Sequence, residues 1–210
     1  MSSSATPTDH AADAADMARL CAGRSDALDA LMERHQTRLL HWLIRLTGCE
    51  ASAEDTAQDA FVRVFEKRHQ FKPGAKFSNW LYTIAANLVR DAKRFQTRHP
   101  HLSLESESSP GAGDALSNRL VESAPDPAQT CEIEERAVAV RLAIAALPED
   151  LRIALTLAEY EDRSMADIAE ITQISIKAVE SRLYRARKEL RVSLAGWMEQ
   201  SCALQPRQTR

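Results

Sequence analysis

Between Ile176 and Leu190 the apolar residues Ile176, Val179, Leu183, Ala186 and Leu190 stand three or four positions apart. That spacing puts one stripe along one side of an α-helix and leaves the other side to solvent. The solvent side carries Lys177, Ser181, Arg182, Tyr184, Arg185 and Lys188, and Lys177 to Arg191 holds six Lys/Arg against two Glu. Upstream, Ser164 and Asp167 have the spacing of a capping box, and Ile168, Ala169 and Ile171 supply a short apolar face. Gln173-Ile174-Ser175 reads as a turn whose serine caps the next helix. Two short helices around a tight turn, the second strongly basic, predict a helix-turn-helix whose second helix enters the DNA major groove. The alternative is an ordinary solvated face, although such faces more often mix charges of both signs.

The remainder of the chain sets bounds on this reading. Its 210 residues hold one ordinary domain or two small ones, and no apolar run is long enough to span a bilayer. The opening MSSSATPTDHAADAADMARL lacks the basic and apolar regions of a secretory signal, so a cytoplasmic protein without membrane insertion is expected. Cys21, Cys49, Cys131 and Cys202 are scattered without metal-ligand spacing, and neither metal nor cofactor is expected. No Ser/His/Asp order or glycine-rich phosphate loop supports an enzyme. A net charge of −3 is unusual for a DNA binder, but the charge is segregated. Residues 61–98 hold nine Lys/Arg against two acids, while 99–140 hold eight acids against two Arg.

In chain order, residues 1–15 read as disordered, and a helix over Asp26–Thr47 ends at Gly48. Ser52 and Asp55 suggest a capping box for a helix over about 53–68 that buries Ala57, Ala60, Phe61, Val64 and Phe65. Glu50, Glu54, Asp55 and Asp59 cluster on its opposite side, a run only partly explained by the macrodipole. After a Pro73-Gly74 turn, Trp80, Leu81, Ile84, Ala85, Leu88 and Ala92 mark a further buried helix face. Lys72, Lys76, Arg90, Lys93, Arg94 and Arg98 surround it, interleaved with Phe71, Phe77, Trp80, Tyr82 and Phe95. Cations that track a backbone beside aromatic surfaces are what single-stranded DNA requires, although several of these aromatics belong to any core. Residues 99–131 read as a flexible acidic linker, followed by a helix over 133–146 with Val138, Leu142 and Ala145 on one face. Leu151, Ala154, Leu155 and Ala158 pack the next helix, and residues after about 200 fray. The fold expected is all-α: two small helical domains, 16–98 and 132–200, joined by the linker, with 201–210 a frayed end.

Three stretches carry a family resemblance. LPEDLRIALTLAEYEDRSMADIAEITQISIKAVESRLYRARKELR resembles the C-terminal promoter-binding domain of bacterial sigma factors, closest to the extracytoplasmic-function group. SAEDTAQDAFVRVF resembles the sigma-factor helix that docks on the clamp helices of the RNA polymerase β′ subunit. The pattern F-x-x-W-L-Y-x-I-A-x-N-x-x-x-D, from Phe77 to Asp91, resembles the promoter-melting segment.

The resemblance implies a sigma factor that binds core polymerase through β′ and β, opens the −10 element and reads the −35 element. It places Glu54, Asp55, Gln58, Asp59 and Phe61 at the polymerase, with Phe61 equally readable as core. It places Phe71, Lys72, Lys76, Phe77, Asn79, Trp80, Asn87, Arg90, Lys93 and Arg94 at the −10 strand. Ser175, Lys177, Glu180, Ser181, Arg182, Tyr184, Arg185 and Lys188 fall at the −35 duplex. An anti-sigma partner is implied as well. Two departures stand out. Glu180 occupies a position that is often basic, and a carboxylate accepts from cytosine but cannot grip guanine or phosphate. Gln173 replaces a frequent turn glycine, so the turn differs or tolerates a cost of about 1 kcal/mol. The segregated charge also suggests that the acidic linker competes with DNA for the basic faces. The rival to a sigma factor is a stand-alone helix-turn-helix regulator, which leaves the acidic helix and the basic-aromatic segment without a role.

Overall fold

A computed structural model describes residues 7–98 and 127–204, with side chains described over 10–98 and 135–195. The helices are α1 (Pro7–Cys21), α2 (Asp26–Thr47), α3 (Glu50–Lys67), α4 (Phe77–Arg98), α5 (Pro127–Ala146), α6 (Glu149–Glu159), α7 (Met165–Thr172) and α8 (Ile176–Leu204), with one 3-10 turn at Arg68–Gln70. No strand occurs among the described residues, and the all-helical expectation holds. No helix among them is long and apolar enough to cross a membrane. The expected flexible linker falls mostly on 99–126, outside the described residues, as do 1–6 and 205–210.

The N-terminal unit is built on α2, whose buried stripe runs through Leu31, Leu39, Trp42, Leu43 and Leu46. Gly48 ends the helix in the left-handed region (φ 72°). Against that stripe α3 sets Ala53, Ala57 and Ala60, small residues that let the two helix axes approach, with Phe61 and Val64 completing the contact. The Ser52–Asp55 capping box is not formed. Cys49 is the extended N-cap, its amide held by the Thr47 hydroxyl, while Ser52 lies inside α3 and accepts at its carbonyl from Thr56. Phe65 faces outward rather than into the core, with the Arg68 guanidinium over its ring. Ala92 is exposed as well, because α4 passes beyond the bundle after Leu88.

Residues 7–15, expected to be disordered, belong to α1. Their composition is polar, but Met17 and Leu20 enter the core and two buried carboxylates tie the helix to α2. Asp13 accepts from Arg34 (3.0 Å) and pairs with His35 (2.9 Å), and Asp16 accepts from Arg34 (2.6 Å). Burial opposes ionisation of Asp13, but its bonds and charges with His35 and Arg34 outweigh that, and its pKa is lowered. The order of α1 is therefore tertiary in origin.

In the C-terminal unit α5 begins at Pro127, earlier than expected, and its buried face is the other one. Ala139, Ala143 and Ile144 turn inward, while Val138, Leu142 and Ala145 are exposed. Alanines on the inner side let α5 lie close to α8, with Ile144, Leu147, Leu151, Leu155 and Ala186 forming a small core. Ser164 caps α7, accepting from the Asp167 amide (3.1 Å) and donating to its carboxylate (2.6 Å). Gln173 closes α7 in the left-handed region (φ 57°, ψ 41°), so the turn keeps the glycine geometry without the glycine. Ser175 accepts from the Ala178 amide as the cap of α8, and Val179, Leu183 and Ala186 are buried, whereas Ile176 is exposed. Helical backbone continues to Leu204, past the start of the expected frayed end.

The two units share one core. Ile153, Ala154, Leu157, Ile168 and Ile171 of the C-terminal half cluster with Leu39, Trp42, Leu43, Leu81 and Tyr82 of the N-terminal half. α6 is consequently buried on two sides, against α2 and against α8.

Candidate polymerase and nucleic-acid interfaces

Three surfaces carry the residues singled out in the sequence. On the outer side of α3, Glu54, Asp55, Gln58 and Asp59 are all exposed, and the three acids have no salt-bridge partner among the described residues. A helix fixes these positions because the offsets of three and four (Glu54–Gln58, Asp55–Gln58, Asp55–Asp59) return to a common side. Phe61 is not part of this surface. It is 3% exposed and packs in the core, which decides its two readings in favour of core. Val62, 54% exposed, stands beside the acids and was not singled out, since a lone valine gives no sequence signal.

The second surface gathers around the start of α4. Phe71, Phe77 and Trp80 form an aromatic group with ring centroids 5.2 to 6.3 Å apart. His35 adds a ring 5.1 Å from Phe77, a neighbour that sequence spacing could not reveal. Phe77 is buried, Phe71 and Trp80 are partly buried, and Lys72, Lys76 and Asn87 are exposed. Asn79 is fully buried. Its amide nitrogen donates to Asp167 and to Glu170, both at 2.7 Å, and Lys76 Nζ donates to Asp167 at 2.8 Å. Burial works against ionisation of Asp167, but bonds from Asn79, Lys76 and Ser164 overcome it and hold the carboxyl well below its usual pKa.

Further along α4 the same pattern repeats. Arg90 approaches Asp150 at 3.6 Å and Lys93 approaches Glu149 at 3.6 Å, while Arg94 pairs with Asp91 within its own helix. A cleft of about 440 Å³ opens here, lined by Arg63, Lys67, Asn87, Arg90, Asp91, Arg94, Asp150, Thr172 and Arg182. Five of these nine residues are cationic and two anionic, so the cleft favours anions.

The contact between the two halves extends inward from these pairs. Trp42 Nε1 donates to Thr156 (3.1 Å), and Arg38 Nε (2.7 Å) and the Tyr82 hydroxyl (2.6 Å) both donate to Glu161. Burial, followed by the charge and hydrogen bond of Glu161, pushes the Tyr82 phenol far above its ordinary pKa, so it stays a donor. Arg163 donates to Ser78 (3.0 Å) and lies over the Tyr82 ring. Arg152 donates to the carbonyl of Leu46 (2.8 Å), a cation at the C-terminal end of α2. Glu149, Asp150, Glu161 and Glu170 were missed by sequence reasoning. Each looks like an ordinary helix-end or surface acid, and its partner lies about 60 to 120 positions away.

The third surface is the outer side of α8. Ser175, Lys177, Glu180, Ser181, Tyr184, Arg185 and Lys188 are exposed and face away from the buried stripe. Tyr184 is 70% exposed, which suits a recognition residue better than a core aromatic. Arg182 differs from its neighbours. It folds back to Asp150 (3.2 Å) and its side chain is 19% exposed, with its Nη1 buried and unpartnered among the described residues.

A bundle with an acidic outer helix and an aromatic-basic edge, followed by a helix-turn-helix with an open basic face, defines a promoter-recognising transcription factor. The family comparisons agree. The sigma-70 region 2 model matches residues 31–99 and the sigma-70 region 4 model matches residues 128–190. RNA polymerase sigma-H factor of Pseudomonas aeruginosa is 31% identical over 175 residues, covering 82% of this chain and 88% of that protein. RNA polymerase sigma factor CarQ of Myxococcus xanthus is 33% identical over 186 residues (87% and 97%). The sigma factor RpoE of Bartonella quintana, solved with the anti-sigma factor NepR, superposes with a TM-score of 0.60 at 26% identity, covering 80% of this chain and 96% of that one. CnrH, solved with the cytosolic domain of CnrY, shares the fold at a TM-score of 0.63 and 24% identity (88% and 98%). The chain belongs to the extracytoplasmic-function RNA polymerase sigma factors.

Proposed function

We propose that this sigma factor directs core RNA polymerase to its own set of promoters, with a separate job for each of the three surfaces. The acidic outer side of α3, with Glu54, Asp55, Gln58 and Asp59, docks on the β′ clamp helices, and the C-terminal unit docks on the β subunit. The segment from Phe71 to Arg94 captures the opened −10 strand. Phe71 and Trp80 supply apolar walls for a base taken out of the stack, with the buried Phe77 packed behind them, Asn79 and Asn87 supply hydrogen bonds to its edge, and Lys72, Lys76, Arg90, Lys93 and Arg94 follow the phosphates. The outer side of α8 reads the −35 duplex through Ser175, Lys177, Glu180, Ser181, Arg182, Tyr184, Arg185 and Lys188. The protein acts in the cytoplasm without catalysis of its own, and an anti-sigma partner binds it and holds it in check; RpoE of Bartonella quintana was solved in complex with such a partner, NepR.

The observation that carries this reading is the joint presence, in family order, of an acidic helix face without salt-bridge partners among the described residues and an open basic recognition helix in one chain. A free-standing regulator explains only the second. Run-off transcription by purified core polymerase over a diverse promoter library, with and without this protein, tests it. New, discrete start sites are expected only when both are present. Tight operator binding without polymerase and no new transcripts would favour the regulator.

A further inference from the structure

Accepting α4 and its leading loop as the strand-capturing surface, we infer that the C-terminal unit itself masks that surface. The chain described here is a self-closed form in which carboxylates stand where DNA would bind. Asp167 and Glu170 occupy the amide of Asn79, Asp167 also takes Lys76, Asp150 meets Arg90, and Glu149 meets Lys93. A carboxylate offers these donors what a phosphate oxygen or a base acceptor offers, so the two occupants exclude one another. Asn79 is fully buried by this contact, and a strand cannot reach it until α7 leaves. The mask differs from the one suggested by charge segregation in the sequence, since it is made of folded helices rather than of the acidic linker.

The closure is one-sided. Seven of the eight −35 positions stay exposed, with Arg182 alone drawn inward to Asp150, while four of the ten −10 positions, Lys76, Asn79, Arg90 and Lys93, are taken by acids of the C-terminal unit. The closed form is thus suited to meet duplex DNA through α8 but not to hold an opened strand. Separation of the halves by polymerase completes the molecule. Because a donor that is free only in the open form binds in proportion to that form's population, closing lowers the apparent affinity for single strands.

Three full-length variants test the closure without touching any residue assigned to DNA or polymerase. Thr156→Glu places a carboxylate against Trp42 at the centre of the contact. The pair Glu149→Ala and Glu170→Ala removes two rim acids, and the pair Glu159→Ala and Glu189→Ala removes the same charge away from the contact. Solution scattering should show the first two expanded relative to the wild type and the third unchanged. Fluorescence anisotropy with a random-sequence 20-nucleotide single strand should show about three- to tenfold tighter binding by the expanded variants. The gain for Thr156→Glu is diagnostic, because it adds a negative charge. Circular dichroism checks that this variant keeps its helices, and if it does not, the Glu149/Glu170 pair decides. A wild type already as extended as the variants, or expansion without tighter strand binding, overturns the closure. Failure of every form to start transcripts with core polymerase sinks the sigma-factor assignment instead, and leaves the scattering result to report on the contact.

Discussion

Tyr82 of α4 donates its hydroxyl to Glu161, 79 residues further along the chain, at 2.6 Å, and both side chains are buried. Arg38 of α2 supplies the compensating charge to the same carboxylate from 2.7 Å. Replacing Glu161 by Ala leaves the Tyr82 phenol without this acceptor and removes the carboxylate from Arg38, which keeps its bond to the main-chain carbonyl of residue 161 (3.0 Å). A loss of about 3 kcal/mol in unfolding free energy is expected, against about 1 kcal/mol for Tyr82→Phe, which keeps the ion pair. Urea unfolding of the two variants and of the double variant checks this, and the coupling between them should exceed 0.5 kcal/mol in magnitude, about the limit for independent sites.

The turn of the helix-turn-helix holds a glutamine in a glycine conformation. Gln173 has φ 57° and its amide still closes α7 onto Ala169 and Glu170. Gln173→Gly should therefore stabilise the chain by about 0.5 to 1 kcal/mol, part of which is returned through the freer unfolded state. A rise in thermal midpoint with unchanged duplex binding is the expected pair of results.

The acidic side of α3 separates stability from partner binding. Asp55 and Gln58 are exposed, and Asp55 has no salt-bridge partner among the described residues. Asp55→Lys combined with Gln58→Ala should change stability by no more than about 0.5 kcal/mol. The same variant should lose at least about tenfold in affinity for core polymerase, roughly 1.4 kcal/mol, with promoter duplex binding by α8 retained. Denaturation curves and a polymerase titration measure the two effects independently.

Acid should loosen the contact between the halves. Asp167 has a lowered pKa in the folded chain, against an ordinary value of 3.8, so the stabilisation it gives is present above that value and lost as pH falls through the folded pKa. Lys76 and Asn79 face it from the N-terminal side, and Ser164 and Glu170 adjoin it on its own. Asp13, also lowered, weakens the seat of α1 over the same range. Both helix seats should hold from neutral pH to about pH 4 and weaken below it, with Asp167→Asn flattening the profile. Scattering across pH 3 to 7 follows it for wild type and variant.

Legibility in the sequence followed the range of the interactions. The bounds of α2, the caps of α7 and α8, and the buried positions of α8 apart from Ile176 rest on contacts within one or two turns. Those were read correctly from spacing. The face of α5 was not, because two apolar sides compete and only the approach of α8 selects Ala139 and Ala143 over Val138 and Leu142. Order in α1 was missed for a similar reason. Asp13 and Asp16 look like solvated acids until Arg34 and His35 of another helix are placed beside them.

The sequence by itself determined an all-helical chain with an acidic helix, an aromatic-basic helix and a basic recognition helix, since each is a periodic pattern written along one segment. It also carried the family, through motifs that are local. Only the tertiary structure decided that Asn79, Lys76, Arg90 and Lys93 are met by acids of the other half, and that Trp42 and Tyr82 reach across to Thr156 and Glu161. Pairings between residues 56 to 114 positions apart leave no periodic trace, because nothing in the spacing of one helix records which face of another will settle against it.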